Sequence, residues 1–162
     1  MSAATATHPL PDVAQVKELL GMLFDALSVK LGPKLDVSSK AASYFGVYVS
    51  DDGTPVALCG CDIAFAANSG AALSMLPPNV AKEAAKDKEL TPVMLANLHE
   101  VMNICTRLML RDDTPHLKLR ELCAVNALPP PAAAIIAAPK GRIDFEIGLG
   151  KYGSGVLSVM CL

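Results

Sequence analysis

The chain has 162 residues, 52% hydrophobic and 19% charged, with a formal net charge of −2. That length and balance imply one domain with a substantial apolar core, and the scattered basic residues leave no electrostatic footprint for nucleic acid or for an anionic membrane. No uninterrupted apolar run approaches the roughly 20 residues that span a bilayer. Residues 1–11 lack the basic and apolar regions of a secretory signal, so the expectation is a cytoplasmic protein with a disordered tail over 1–11 and a single domain over 12–162.

Taken in chain order, the first pattern runs from 12 to 31. Apolar residues at Val13, Val16, Leu19, Leu20, Leu23, Phe24, Leu27 and Leu31, closed by Gly32-Pro33, predict one amphipathic helix. Residues 44–50 and 55–61 are β-rich runs separated by Asp51-Asp52-Gly53-Thr54, whose turn chemistry predicts a hairpin. Asp62 can cap a second helix through Ala64, Ala67, Ala71, Ala72 and Leu73, stopped by Pro77-Pro78. The Ala and Gly content of that helix would let it pack closely against a neighbour. The charged stretch 79–88 predicts a short helix.

A longer helix then starts with Thr91 as N-cap and Pro92 as its first residue, where the missing N–H would be unpaired anyway. Met94, Leu95, Leu98, Val101, Met102, Cys105, Leu108 and Met109 give it a broad apolar face. Arg107 and Arg111 suit the negative end of its dipole, and Asp112-Asp113-Thr114-Pro115 breaks it. Strands are predicted over 116–125, 142–149 and 156–162. The Pro-Ala stretch 129–134 cannot be a central strand and is expected to be a loop. Gly150-Lys151-Tyr152-Gly153-Ser154-Gly155 joins the last two strands as a hairpin; it leads into a strand and lacks the Gly-Lys-Ser/Thr ending of a phosphate loop.

The order α-β-β-α-α-β-β-β, with strands in hairpin-connected runs, predicts an α+β domain in which an antiparallel sheet carries helices on one face. The apolar last strand would be an aggregation hazard as an open edge, and pairing with the same strand of a second copy would remove it. Cys59, Cys61, Cys105, Cys123 and Cys161 are odd in number and fall inside predicted strands and helices, so they are expected as small core residues in a reducing compartment. With His8, His99 and His116 far from one another in sequence, no metal site is assigned.

One feature of the long helix is not explained by packing. Asn97, Glu100, Asn103 and Arg107 recur at spacings of three and four, along the face opposite the apolar one. Glu100 and Asn103 put a carboxylate and a carboxamide one turn apart, both expected to face solvent. His99 projects roughly 100° away around the helix and is not part of that pair.

The segment Leu98-His99-Glu100-Val101-Met102-Asn103-Ile104, together with the element order and the Ala-Gly-Ala-Ala-Leu core of the preceding helix, resembles the CheC and CheX family of chemotaxis phosphatases. Their hallmark is a helix bearing Glu, two intervening residues and Asn. The likeness spans about 44–162, and the single copy of the motif looks more like CheX. Two departures stand out: Ala96 occupies a position where the family commonly has Asp or Ser, and Pro129 lies later than the family's proline.

The resemblance implies hydrolysis of the phosphoaspartate of a CheY-type response regulator. Glu100 would bind the regulator's active-site lysine and Asn103 would orient the attacking water, with Ala96, Asn97 and Arg107 at the partner surface. The magnesium ion would belong to the regulator, and this chain would bind no cofactor of its own. It further implies a homodimer. The alternative is a non-catalytic CheC-like module that docks a regulator or a component of the flagellar switch.

Overall fold

The first apolar run divides where its period changes. In the computed structural model, which describes residues 8–162, α1 spans Val13–Leu20. The Asp12 carboxylate accepts from the Gln15 N–H at 2.8 Å, and Gln15 Oε1 accepts from the Asp12 N–H at 2.9 Å, so the helix start is satisfied reciprocally. Past Gly21 the expected single helix over 12–31 does not continue. Ala26 takes a left-handed φ of 51°, and Leu27–Leu31 is strand β1. The residues Leu27, Val29 and Leu31 also alternate with period two, and as a strand they gain a ladder to the chain's penultimate strand, with Leu27 opposite Leu149 and Leu31 opposite Phe145. Cross-strand pairing more than a hundred residues away overrides the local helical period.

β2 (Tyr44–Val49) and β3 (Pro55–Cys61) form the expected hairpin, with Gly53 at φ 84° in its turn. α2 (Ile63–Leu73) starts at Asp62, whose carboxylate accepts from the Phe65 N–H at 2.8 Å and the Val156 N–H at 3.0 Å. It thereby ties the helix start to the last strand. α3 (Pro78–Asp87) and α4 (Pro92–Cys105) follow as expected, then β4 (Lys118–Ala124). The Pro-Ala stretch expected as a loop is instead helix α5 (Pro130–Ala137). Pro130 and Pro131 sit in its first turn, where a missing N–H removes no helical bond, so the prolines start the helix rather than prevent it. β5 (Gly141–Leu149) and β6 (Ser154–Cys161) close the chain as the expected hairpin.

All strand pairs are antiparallel, in one six-stranded sheet of order β1-β5-β6-β3-β2-β4. The α+β class therefore holds, with β1 and α5 added to the expected order. α1, α2 and α4 cover one sheet face over Tyr48, Cys59, Phe145 and Leu157. On the other face, Ala132 and Ile135 of α5 pack with Leu35, Phe45, Val47, Leu58 and Met160. β6 lies between β5 and β3, so the last strand is the centre of the sheet and not an open edge. Paired on both sides, β6 offers no free edge to the same strand of a second copy.

On the α5 face an ion pair latches the segment after β1. Arg142 Nε donates to Asp144 Oδ2 at 3.0 Å, Arg142 Nη2 donates to the Leu35 carbonyl at 3.1 Å, and Asp144 Oδ1 accepts from the Leu35 N–H at 3.0 Å. Burial works to raise the Asp144 pKa, but the guanidinium and the Leu35 N–H outweigh it and hold the carboxyl below its ordinary value.

All five cysteines are free, and four are buried, with only Cys123 partly exposed. Burial pushes the Cys161 thiol to about 11, which suits an inert core residue. Of the tail expected over 1–11, residues 1–7 lie outside the described residues. His8 is buried, with Nδ1 3.0 Å from the Met109 carbonyl oxygen. Among the described residues, no helix is long and apolar enough to cross a membrane.

Candidate functional site

α4 has two faces because its apolar residues recur at helical spacing. Met94, Leu98, Val101, Met102 and Cys105 are buried, while Ala96, His99, Glu100 and Asn103 are exposed. Thr91 Oγ1 accepts from the Met94 N–H at 3.2 Å and Pro92 fills the first position, as the sequence requires. Glu100 and Asn103 share one side of the helix, their Cβ atoms roughly 5–6 Å apart by helical geometry. Thr91 and Asn97 make side-chain hydrogen bonds along α4; among the described residues Glu100 and Asn103 make none, and neither enters an ion pair.

The helix carrying this pair is held at two points by directional bonds. Asn97, expected on the solvent stripe, turns inward: its Nδ2 donates to the Gly70 carbonyl at 2.8 Å and to Ser74 Oγ at 2.7 Å, both on or beside α2. Gly70 makes this approach possible. A Cβ at Gly70 would lie 2.9 Å from the Cα, Cβ and carbonyl oxygen of Met94, so the two helices meet backbone to backbone.

From the sheet side, the buried Tyr48 hydroxyl donates to the Met102 carbonyl at 2.6 Å. That carbonyl is free to accept because the helix tightens just after it. The Thr106 N–H bonds the Asn103 and Ile104 carbonyls instead, and Thr106–Met109 is a 3₁₀ turn. Burial raises the Tyr48 pKa well above its ordinary value, so the hydroxyl remains a donor.

The residues expected at the partner surface thus separate. Ala96 is exposed one turn before Glu100. Arg107 is exposed on the 3₁₀ turn and borders a groove of about 270 Å³ shared with Gln15, Glu18, Met22 and Arg111. Asn97 is engaged with α2. Its bonding could not be found from spacing, since its acceptors lie 27 and 23 residues away, although the Ala- and Gly-rich composition of α2 was a signal of close packing there. Tyr48 was missed altogether, because a tyrosine in a β-rich run reads as a core aromatic.

Glu100 and Asn103 are exposed on α4. A cleft of about 640 Å³ between Phe24, Leu73, Met75 and Tyr152 contains neither of them. They present a carboxylate and a carboxamide to solvent, with no hydrogen bond to either among the described residues. Among the described residues, no three His, Cys, Asp or Glu side chains gather to hold a metal ion.

No protein-family model matches the chain, and no curated protein matches it in sequence. Solved structures do match in fold. A chain of the CheX-CheY-BeF3-Mg2+ complex from Borrelia burgdorferi aligns with TM-score 0.53 and 15% identity, over 90% of this chain and 90% of that one. A chain of the FliM-SpeE complex from H. pylori aligns with TM-score 0.56 and 10% identity, over 92% of this chain and 78% of that one. The FliM middle domain from Vibrio alginolyticus aligns with TM-score 0.55 and 12% identity, over 88% and 83%. The fold is the one found in CheX and FliM middle-domain structures. Identities this low establish the fold and leave the activity to the residues on it.

Proposed function

We propose that this chain is a CheX-like phosphatase that hydrolyses the phosphoaspartate of a CheY-type response regulator, in chemotaxis or a related cytoplasmic two-component pathway. The observation that carries this reading is the Glu100–Asn103 pair, exposed and unbonded on α4. It stands on a fold shared with a chain of a CheX-CheY complex.

A phosphoaspartate is an acyl phosphate and already activated, so catalysis is chiefly positioning and charge stabilisation. The ridge of α4 enters the regulator's active site. The Glu100 carboxylate accepts a hydrogen bond from the regulator's lysine and fixes the docked pose. The Asn103 carboxamide holds a water in line with the phosphorus. The water oxygen bonds to phosphorus as the P–O bond to the aspartyl oxygen breaks, releasing a free carboxylate and inorganic phosphate, and the water's proton passes to the phosphate. Magnesium on the regulator neutralises the phosphoryl oxygens; this chain contributes no metal. Ala96 and Arg107 flank the pair at the contact surface. The homodimer implied by the resemblance would have to use a surface other than β6, and among the described residues the edge strands of the sheet are β1 and β4.

The second reading is an adaptor that docks a regulator or a switch component without hydrolysis. The alignment with the FliM middle domain favours it, as does Ala96 in place of the family's polar residue. The lifetime of a phosphorylated CheY-type regulator separates the two. Acceleration by the wild type, lost in both Glu100→Ala and Asn103→Ala, supports the phosphatase; an unchanged lifetime with detectable binding supports the adaptor.

A further inference from the structure

We infer that Asn97 and Tyr48 are positioning residues, a two-point brace that sets the axial and rotational position of α4 and so aims Glu100 and Asn103. The inference rests on the hydrolytic reading above and extends it to residues that touch neither the regulator nor the water.

The apolar face of α4 buries well but holds weakly against sliding, because apolar burial is non-directional. The brace supplies the missing directionality from two different elements, α2 and β2. Three residues before Glu100, the two N–H bonds of the Asn97 carboxamide grip α2 at the Gly70 carbonyl, 2.8 Å, and at Ser74 Oγ, 2.7 Å. Next to Asn103 in sequence, the Met102 carbonyl receives the Tyr48 hydroxyl from strand β2 at 2.6 Å. Glu100 therefore lies between one anchor on a neighbouring helix and one on the sheet, and Asn103 follows directly after the second.

Each anchor also has a local reason to be where it is. The Met102 carbonyl lacks its helical partner because the chain tightens into a 3₁₀ turn at Thr106. The Tyr48 hydroxyl supplies the donor that the Thr106 N–H does not, and buried carbonyls in native proteins are generally paired. The Asn97 grip exists only because Gly70 brings the α2 backbone against Met94. Tyr48 is 0% exposed and cannot meet a partner, and both N–H groups of Asn97 are engaged within the chain. An effect of Tyr48 on hydrolysis has to pass through the position of α4, the bonds of Asn97 point the same way, and a misplacement of about 1 Å costs on the order of 100-fold in rate when positioning dominates.

The test uses the whole chain with a phosphorylated CheY-type regulator, comparing wild type, Tyr48→Phe and Asn97→Asp. The first removes one oxygen and keeps the ring; the second keeps the size and exchanges the donor for an acceptor. The readouts are kcat and KM for dephosphorylation and the Kd for the beryllofluoride-loaded regulator, with circular dichroism to verify folding. The expected result is a fall in kcat of about 10- to 100-fold, with KM and Kd moved by less than about 3-fold, since the docking residues remain. If Tyr48→Phe fails to fold, the half-buried Asn97→Asp carries the test alone. Wild-type kcat in the folded variants overturns the inference and leaves the phosphatase standing, and so does a loss of kcat matched by an equal loss of affinity. A wild type that binds but never hydrolyses overturns the function first and this inference with it.

Discussion

Glu100 and Asn103 are exposed and make no bond within the chain, so their removal should affect function and leave folding alone. Glu100→Ala and Asn103→Ala are each expected to stay within about 0.5 kcal/mol of wild-type stability in urea unfolding. A larger loss would mean that the pair supports the fold, and a structural role would then account for it. Both residues were legible in the sequence, because a spacing of three on a well-capped helix leaves little freedom in where they point. Asn97 was legible only as a member of the same stripe. The sequence places it on the helix but says nothing of Gly70 and Ser74 arriving beside it, and a residue at the margin of a face is resolved by its neighbours.

Asp144 gives a pH signature at the same scale. Burial alone would raise its pKa, but the Arg142 guanidinium and the Leu35 N–H hold the folded value below the ordinary one. A depressed folded pKa means that the carboxylate adds stability above its unfolded pKa, and that this share is lost as pH falls through the folded value. Asp62 acts in the opposite sense, its pKa raised by burial, so a wild-type curve mixes the two. The difference between wild type and Asp144→Asn isolates the latch. That difference should be full at pH 7 and shrink steadily as urea midpoints are followed below pH 4; a gap that stays constant with pH would contradict the assignment.

At the scale of elements, the contact between α2 and α4 is the joint on which the site depends. Gly70→Ala would place a methyl 2.9 Å from Met94 backbone atoms, and relief requires the helices to part. Overpacking of this kind should destabilise the chain by about 1–3 kcal/mol, measured by chemical denaturation, and should slow hydrolysis as well because α4 moves. Gly70→Ala with unchanged stability would show that the helices are not in the close contact described.

Elements whose local signals agreed with their packing were readable from sequence: the β2–β3 hairpin, α2 behind Asp62, α4 behind Thr91-Pro92. Two were not. Residues 27–31 carry both a helical and an alternating pattern, and only the distant strand β5 decides between them. Residues 130–137 begin with prolines that read as a loop yet serve as the first turn of α5, a helix that exists because Ala132 and Ile135 find an apolar sheet face.

Over the whole molecule, the class of fold was readable and the sheet order was not. Hairpin-connected strands and intervening helices imply an antiparallel α+β domain, but nothing local says that the last strand is inserted between β5 and β3. An apolar strand reads the same at an edge as at the centre; here its apolar character belongs to the centre. The edges are β1, with Lys30 in an ion pair to Glu146 at 3.0 Å, and β4, where Lys118 and Arg120 are exposed. Charges so placed are a common protection of open edges. The architecture leaves α4 with its sheet-facing side buried and the side bearing Glu100 and Asn103 exposed.

The measurement that bears most directly on this account is inorganic phosphate release from a phosphorylated CheY-type regulator at saturating concentrations of wild type and of Asn103→Ala, with binding of each measured in parallel. The account predicts rapid release with the wild type. It predicts release at the regulator's own intrinsic rate with Asn103→Ala, which still binds through Glu100 and the flanking surface. Equal acceleration by both proteins, or binding without acceleration by the wild type, would contradict it.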